Sequence, residues 1–513
     1  MGKLVLWELG KKQSYIFKSN RLIDAIGGSL IIKDFSEDFS QEGLLEENFI
    51  TKGGGKTLYF FDNSDKAKSF IKNISFKVLN EYPGLELLIT SLDFDFDKDD
   101  LKDSINKIYK KLDEKKNSKK NSPYQLGFGI ERRCNQTGLP SNIYDTSSKD
   151  EFISNEISIK RKYTKGKEKD NFNKLIPKGY KLEVALDSIV NPKGKSYIAV
   201  VHIDGNGMGK KIKKLQDNIC KNQGESQKEF NERYKKALNS FSSDINNKYK
   251  NAFKKMCEVV EKNKDKLSQE TRISEEVIFN GEKFKGIFPI RPIILAGDDI
   301  TYICNGSIAI ETARIMMEIL EDERLNVEGI DFGNLSACAG VAIIKKGYPF
   351  KKGYELAEDL CSSAKKYLLK EGKVDKSAID FQLLQGDLGE GLNDIREKYI
   401  GINGERLTMK PLTVGKESGF RTYNSLLESL SWLEKANKNK EIGRNKIKSM
   451  RSVFFQGRAA AENYFKFYKI PEYIGSLNHY TDEYGFDKNG TCLLLDGIEI
   501  MDFFIALDSK EAK

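Results

Sequence analysis

The sequence predicts an α+β protein built from two related sheet-and-helix units and a mostly helical C-terminal block. Three observations predict it. Strand and helix patterns alternate along residues 1–112 and again along 196–370, a glycine turn leading into an apolar strand recurs in both stretches, and leucines at helical spacing dominate after about Gln385. At 513 residues the chain exceeds what one core can hold, and at about 150 residues per domain it divides into roughly three or four units.

The chain runs directly into a strand at Leu4–Leu9 with no signal-peptide pattern, and no apolar run reaches the roughly 18 residues of a membrane span. A cytoplasmic protein without a membrane partner is expected. There follow an amphipathic helix at about 13–33, a strand at 57–61, a helix at about 65–80, a strand at 85–92 and a helix at about 99–112. This β-α-β-α-β order suggests a split βαβ sheet with helices on one face. A charged break at 115–121 closes a first domain at about residue 120, and 121–190 read as an irregular connector or small subdomain.

The second unit, 191–385, opens with the strand 196–203 and the turn Asp204-Gly205-Asn206-Gly207-Met208-Gly209. A charged stretch at about 210–270 reads as a helical insertion. Two short apolar runs, Pro292–Leu295 and Ile300–Cys304, flank Ala296-Gly297-Asp298-Asp299 and predict a tight hairpin. A helix at 307–320, a strand at 335–344 and a helix at 354–370 complete the unit, and 386–513 form the helical domain. Setting the segment from Gly53 under the segment from Ala296 matches turn, strand and tyrosine, and brings Gly55 and Lys56 opposite Asp298 and Asp299. Two copies of one domain are expected, with the acidic pair only in the second.

Seven scattered cysteines without a C-x-x-C pair argue against disulfides and a zinc ribbon. Two histidines, neither followed by aspartate, exclude a histidine–aspartate nuclease centre. The surplus of 85 basic over 76 acidic residues gives a formal charge of +9, which suits phosphate-bearing ligands without requiring a nucleic-acid groove.

An isolated Asp-Asp is ordinarily a solvated turn. Here it sits between apolar strands, and a third acid, Asp204, ends another strand, so three carboxylates can converge at one sheet edge. Such a set binds Mg²⁺ or Mn²⁺, and two such ions activate a hydroxyl and stabilise a leaving pyrophosphate. The glycines 205, 207 and 209 lie where strand turns into helix, either as a plain connection or as a phosphate cradle. Lys365 and Lys366, on the helix after the third strand, are within reach of a triphosphate.

Three stretches, Val200–Gly209, Leu295–Ile300 and Leu335–Ile344 followed by Ala364-Lys365-Lys366, resemble the catalytic palm of the large polymerase-like subunit of type III CRISPR effector complexes, a relative of GGDEF and class III nucleotide cyclases. Gln13–Phe17, Asn20–Leu22 and Ala25–Ser29 resemble the first palm of the same family. Ala296 replaces the first glycine of the family's Gly-Gly-Asp-Asp turn. The resemblance covers roughly residues 1–385 and implies two ferredoxin-like palm domains plus a C-terminal helical domain, in a shortened form without the nuclease domain.

It further implies a metal-dependent nucleotidyltransferase that makes a cyclic di- or oligonucleotide signal in antiviral defence, using ATP or another nucleoside triphosphate. Two ions would sit on Asp204, Asp298, Asp299 and the carbonyl of Ile203. Gly205, Asn206, Gly207, Gly209, Gly297, Lys365 and Lys366 would line the nucleotide, with Gly54 and Gly55 seating a second one. The family's zinc ribbon is reduced to a single cysteine, Cys134, so no zinc is expected. The alternative is a catalytically silent or guide-RNA-dependent subunit that binds RNA and other effector subunits; a GTP-using diguanylate cyclase is a third option.

Overall fold

The computed structural model describes residues 2–37, 44, 48–53, 55–118, 127–146, 150–166, 171–386, 391–415, 419–470 and 484–508. Its first sheet is antiparallel, with the strand order Phe49–Gly53, Lys56–Phe61, Gly2–Gly10, Glu86–Phe94. The Phe49–Gly53 strand is not anticipated by the sequence pattern. Helices cover both faces, not one. Val5, Trp7 and Leu9 pack with Phe35, Phe70 and Ile74, whereas Leu4 and Leu6 join Ile105, Ile108 and Leu112 in a second core. The continuous apolar run Leu4–Trp7 is the physical reason, because a strand buried on both faces carries no polar alternation. The predicted 13–33 helix is two helices, Lys12–Ile16 and Leu22–Glu37. The Ser19 hydroxyl sits at the break, accepting from the Arg21 N–H and donating to Asp24.

The connector is more ordered than its Lys- and Asn-rich composition suggests. Ile143–Asp145 and Glu151–Ile153 form a hairpin, and the helix Asn155–Gly166 packs on Leu22–Glu37 so closely that a Cβ on Gly27 would stand 2.0 Å from the Lys160 carbonyl oxygen. Arg161 is buried, contacting Asp24 at 2.8 Å, Asp145 at 2.7 Å and Glu151 at 2.9 Å. Composition hid this helix because its buried charges are neutralised by partners outside the local pattern, among them Asp24 from the first unit. Asp24→Ala leaves a buried guanidinium short of one carboxylate, and we expect it to cost about 3 kcal/mol in chemical denaturation; a loss below about 1 kcal/mol would mean that Asp145 and Glu151 suffice.

The second sheet has six strands in the order Ile290–Ala296, Asp299–Asn305, Tyr197–Gly205, Ala337–Lys345, Ala378–Leu383, Leu412–Thr413. Only Ala337–Lys345 and Ala378–Leu383 run parallel. Its first four strands repeat the order of the first sheet: hairpin, long strand, third strand. The repeat extends to single hydrogen bonds. Leu9 N–H donates to the Gly55 carbonyl at 3.4 Å, and Gly205 N–H donates to the Asp298 carbonyl at 3.3 Å. The charged stretch after Gly209 folds as predicted into helices, Met208–Asn218 and Gln227–Lys262, the second opened by a capping box of Ser226 and Glu229. Ala309–Glu321 and Phe350–Lys370 complete the helical cover.

Ala378–Leu383 lies beyond the predicted elements of the second unit; its polar members, Asp380 and Gln382, are buried. The C-terminal block contains the helices Tyr423–Lys438, Arg444–Phe455, Arg458–Tyr468 and Leu495–Ile500, but also lends the edge strand Leu412–Thr413 to the second sheet. The two sheets share one continuous core. Phe17 stacks on Tyr354 with ring centroids 3.7 Å apart, and the Ser29 hydroxyl donates to the Ile293 carbonyl. Among the described residues no helix is long and apolar enough to cross a membrane.

Candidate active site

The antiparallel register brings Asp299 directly opposite Asp204, at the same end of neighbouring strands. Gly297, at φ 69°, makes the turn that carries Asp298 and leads into Asp299; the left-handed backbone explains the glycine, since nothing stands within 4 Å of where a Cβ would be. The Asp299 side chain keeps 34% of its surface, yet its Oδ1 is buried and has no hydrogen-bond partner. His202 Nδ1 is 3.7 Å away and contacts the Thr301 hydroxyl at 3.0 Å, while Lys12 and Lys365 act on Asp299 electrostatically. Burial lowers the His202 pKa, so the ring is neutral and offers no counter-charge.

Burial and the neighbouring Asp204 push the Asp298 pKa up to about 6 and that of Asp299 to about 7. Carboxylates raised in this way are held where negative charge is costly, which is common at functional sites. Asp204 is ion-paired with Lys365, whose ammonium also reaches the Gly205 carbonyl at 3.4 Å. With Asp204 turned to Lys365, no three His, Cys, Asp or Glu side chains among the described residues form a group ready to hold a metal ion. The donor set itself fits a hard divalent cation: three carboxylates at one edge, one of them with an orphaned oxygen. Ile203 is a core side chain, in register with Ile300 and Ala339, so only its carbonyl can contribute.

The glycine turn divides in role. A Cβ on Gly205 would stand 2.5 Å from the Tyr249 hydroxyl and 2.8 Å from Asp298 Cβ, so this glycine is required by packing. Gly207, at φ 69°, starts the Met208–Asn218 helix, and Gly207 and Gly209 both face open space. The Asn206 side chain donates to the Lys376 carbonyl at 2.8 Å and is structural. Beside this turn opens a cavity of about 1090 Å³, lined by Gly207, Lys210, Lys211, Lys214, Phe332 and Lys365 among others. Asp298 and Asp299 are outside its lining, so Asn206, Gly207 and Lys365 are the link between cavity and acids. Lys366 is exposed and does not line it.

In the first sheet Gly54 lies outside the described residues. Gly55, at φ 74°, lies under Lys12, whose Nζ would be 2.0 Å from an added Cβ. The repeat register places Glu8 opposite Lys56, where the second sheet has Asp204 opposite Asp299. Glu8 is thus an acid at the equivalent strand end, ion-paired with Lys56 at 3.5 Å and Lys116 at 2.6 Å. Aligning the first strands as well as the hairpins would have found it. Lys12, which interacts electrostatically with both Asp299 and Glu8, has no such sequence signal, nor does Tyr249, which lies in the charged insertion. Cys134 packs against Ile153 and Ile157, and all seven cysteines are free.

Neither a protein-family model nor a curated protein matches the sequence. Solved structures do. A Csm1–Csm4 cassette in complex with one ATP superposes with a TM-score of 0.52 at 11% identity, covering 98% of this chain and 70% of that one. The apo cassette gives 0.51 at 12% identity with coverage of 98% and 70%, and the cassette in complex with pppApA 0.50 at 12%, with 98% and 69%. Over nearly its whole length this chain therefore has the fold of Csm1, from the type III CRISPR Csm1–Csm4 cassette, in agreement with the resemblance carried by its motifs.

Proposed function

We propose that this chain is a metal-dependent nucleotidyltransferase that joins ATP into a cyclic di- or oligonucleotide, its two sheets acting as two palm domains. The observation that carries the proposal is the strained acid edge: Asp298 and Asp299 beside Asp204, with the Asp299 Oδ1 buried and unpaired. The Csm1–Csm4 structures of the same fold in complex with one ATP and with pppApA support an adenine nucleotide as the ligand and a Csm4-like subunit as a partner.

Asp204, Asp298, Asp299 and the Ile203 carbonyl would hold Mg²⁺ or Mn²⁺, which when bound supplies charge neutralisation at the reacting phosphate. The chain's own groups do the rest. Backbone N–H groups at the start of Met208–Asn218 face a phosphate, and the helix dipole favours the anion there. Lys365 stands between Asp204 and the cavity, so its ammonium can move from carboxylate to phosphate as Asp204 is engaged elsewhere. On the other side Glu8 is neutralised by Lys56 and Lys116, and a second nucleotide would be held there without a repeated acid pair. In the reaction a ribose hydroxyl oxygen bonds to the α-phosphorus, the bond to pyrophosphate breaks, and the hydroxyl proton passes to water. Holding both nucleotides in one cleft contributes most of the acceleration.

Incubation with ATP or GTP and Mg²⁺ or Mn²⁺, with and without RNA and partner subunits, followed by mass spectrometry, tests this. We expect pyrophosphate and an adenylate ring or chain. No turnover under any of these conditions would favour the silent, RNA-binding subunit.

Lys365→Ala should raise the apparent KM for ATP about tenfold, equivalent to about 1.4 kcal/mol for a charge-assisted contact. An unchanged KM would confine Lys365 to its ion pair with Asp204.

A further inference from the structure

Away from the acid edge, two half-buried arginines lie side by side, neither in a salt bridge with a carboxylate among the described residues. Arg406 donates through Nε to the Thr408 carbonyl at 2.7 Å and through Nη2 to the Lys410 carbonyl; Arg421 donates through Nε to the Met409 carbonyl at 3.0 Å and through Nη2 to the same Lys410 carbonyl at 3.3 Å. Both guanidiniums are thus fixed on one short segment by neutral acceptors. Neither Nη1 has a hydrogen bond among the described residues. The Arg421 guanidinium also lies 3.9 Å over the Tyr367 ring. Of the acids that act on them electrostatically, Asp380 is ion-paired with Arg396 and Asp496 with Lys410, and Glu371 is exposed; none of the three forms a salt bridge with either arginine.

Two cations held together without a directly paired carboxylate repel each other, and the acids around them offset this only in part. Burial and then Arg406 lower the Arg421 pKa to about 10, and burial lowers that of Arg406 as well. An anion bound between the two guanidiniums would offset that repulsion. Guanidinium forks match the oxygens of phosphate in pairs, and the stacked Tyr367 fixes one fork in advance. The helix that carries Tyr367 also carries Lys365 and Leu368, which line the lysine-rich cavity, so phosphate chemistry is already favoured on this side of the molecule.

We infer that Arg406 and Arg421, on the Tyr367 ring, form a second anion site for a phosphoryl group, separate from the acid edge and independent of its activity. The group is the phosphate of a nucleotide or of a single-stranded RNA backbone.

Melting of the full chain in EDTA tests the site without metal chemistry. Inorganic phosphate should raise the melting temperature above that in sodium chloride of equal ionic strength, and Arg421→Gln and Arg406→Gln should each abolish the rise. An equal rise in the variants, or an equal rise with chloride or acetate, would overturn the site. Where a glutamine variant does not fold, Arg421→Lys, which keeps the charge but loses the fork and the stacking, should show at most a small fraction of the rise. Binding of ATP and of a 12-nucleotide single-stranded RNA in EDTA then separates the sources. At least tenfold weaker RNA binding by Arg421→Gln with ATP unchanged assigns the strand backbone, and the converse assigns a nucleotide. Wild-type affinity of the variant for both ligands would refute the proposal.

Discussion

Asp298→Asn and Asp299→Asn should each stop the pyrophosphate release from ATP proposed above and raise the melting temperature of the metal-free protein at pH 8. Loss of one carboxylate from a metal-holding set removes several kcal/mol of transition-state stabilisation, so turnover should fall at least about 10³-fold. The gain in stability has the opposite origin. An acid whose folded-state pKa is raised destabilises the fold as pH rises above its unfolded value. For Asp299 that cost begins above the ordinary value of 3.8 and is complete above about 7. Asparagine removes the charge, so the variant should be more stable at pH 8, and the difference should shrink as pH falls from 7 towards 4. Because the side chain is one-third exposed, the gain is held to roughly 1–2 kcal/mol. Scanning calorimetry in EDTA at pH 5 and pH 8, together with a pyrophosphate assay, checks both halves. Near wild-type turnover would dismiss the metal assignment; a melt that falls at pH 8 would dismiss the electrostatic one.

Gly205→Ala should damage both fold and activity. The added methyl would meet the Tyr249 hydroxyl at 2.5 Å, Asp298 Cβ at 2.8 Å and Met208 Cε at 2.9 Å, all closer than real contacts allow. Overpacking of this kind costs about 1–3 kcal/mol, and displacing Asp298 by a fraction of an ångström should lower turnover roughly tenfold to a hundredfold. Tyr249→Phe, which removes a hydroxyl that has no hydrogen-bond partner, should restore part of the stability of Gly205→Ala while leaving the Asp298 contact in place. Wild-type melting and turnover in Gly205→Ala would show that the hairpin yields at no cost.

The sequence was most legible where local pattern and environment agree. The strand ending in Asp204 and the Gly297 hairpin were readable from apolar runs with a turn between them, and the repeat was readable from one matched hairpin. What escaped it was decided by distant partners. The helix Asn155–Gly166 looks like a solvated segment until Arg161 finds Asp24, Asp145 and Glu151. Phe49–Gly53 is too short and too mixed to stand out, and Ala378–Leu383 conceals a buried strand behind Asp380 and Gln382. Lys365 was placed correctly on its helix, but its pairing with Asp204 depends on how that helix crosses the sheet, which no local pattern carries. The approach of Arg406 to Arg421 on the Lys410 carbonyl is likewise carried by no local pattern.

The stacked rings of Phe17 and Tyr354 and the bond from Ser29 to the Ile293 carbonyl tie both sheets into one body. A pair of identical units meeting across an interface would separate on dilution, and its rate per chain would fall with it. In the reaction proposed above the partner half would be supplied by the same polypeptide at a fixed, effectively very high local concentration. Specific activity should therefore stay constant as the protein is diluted from micromolar to nanomolar, and mixing in an inactive Asp298→Asn chain should lower it only in proportion to the fraction added.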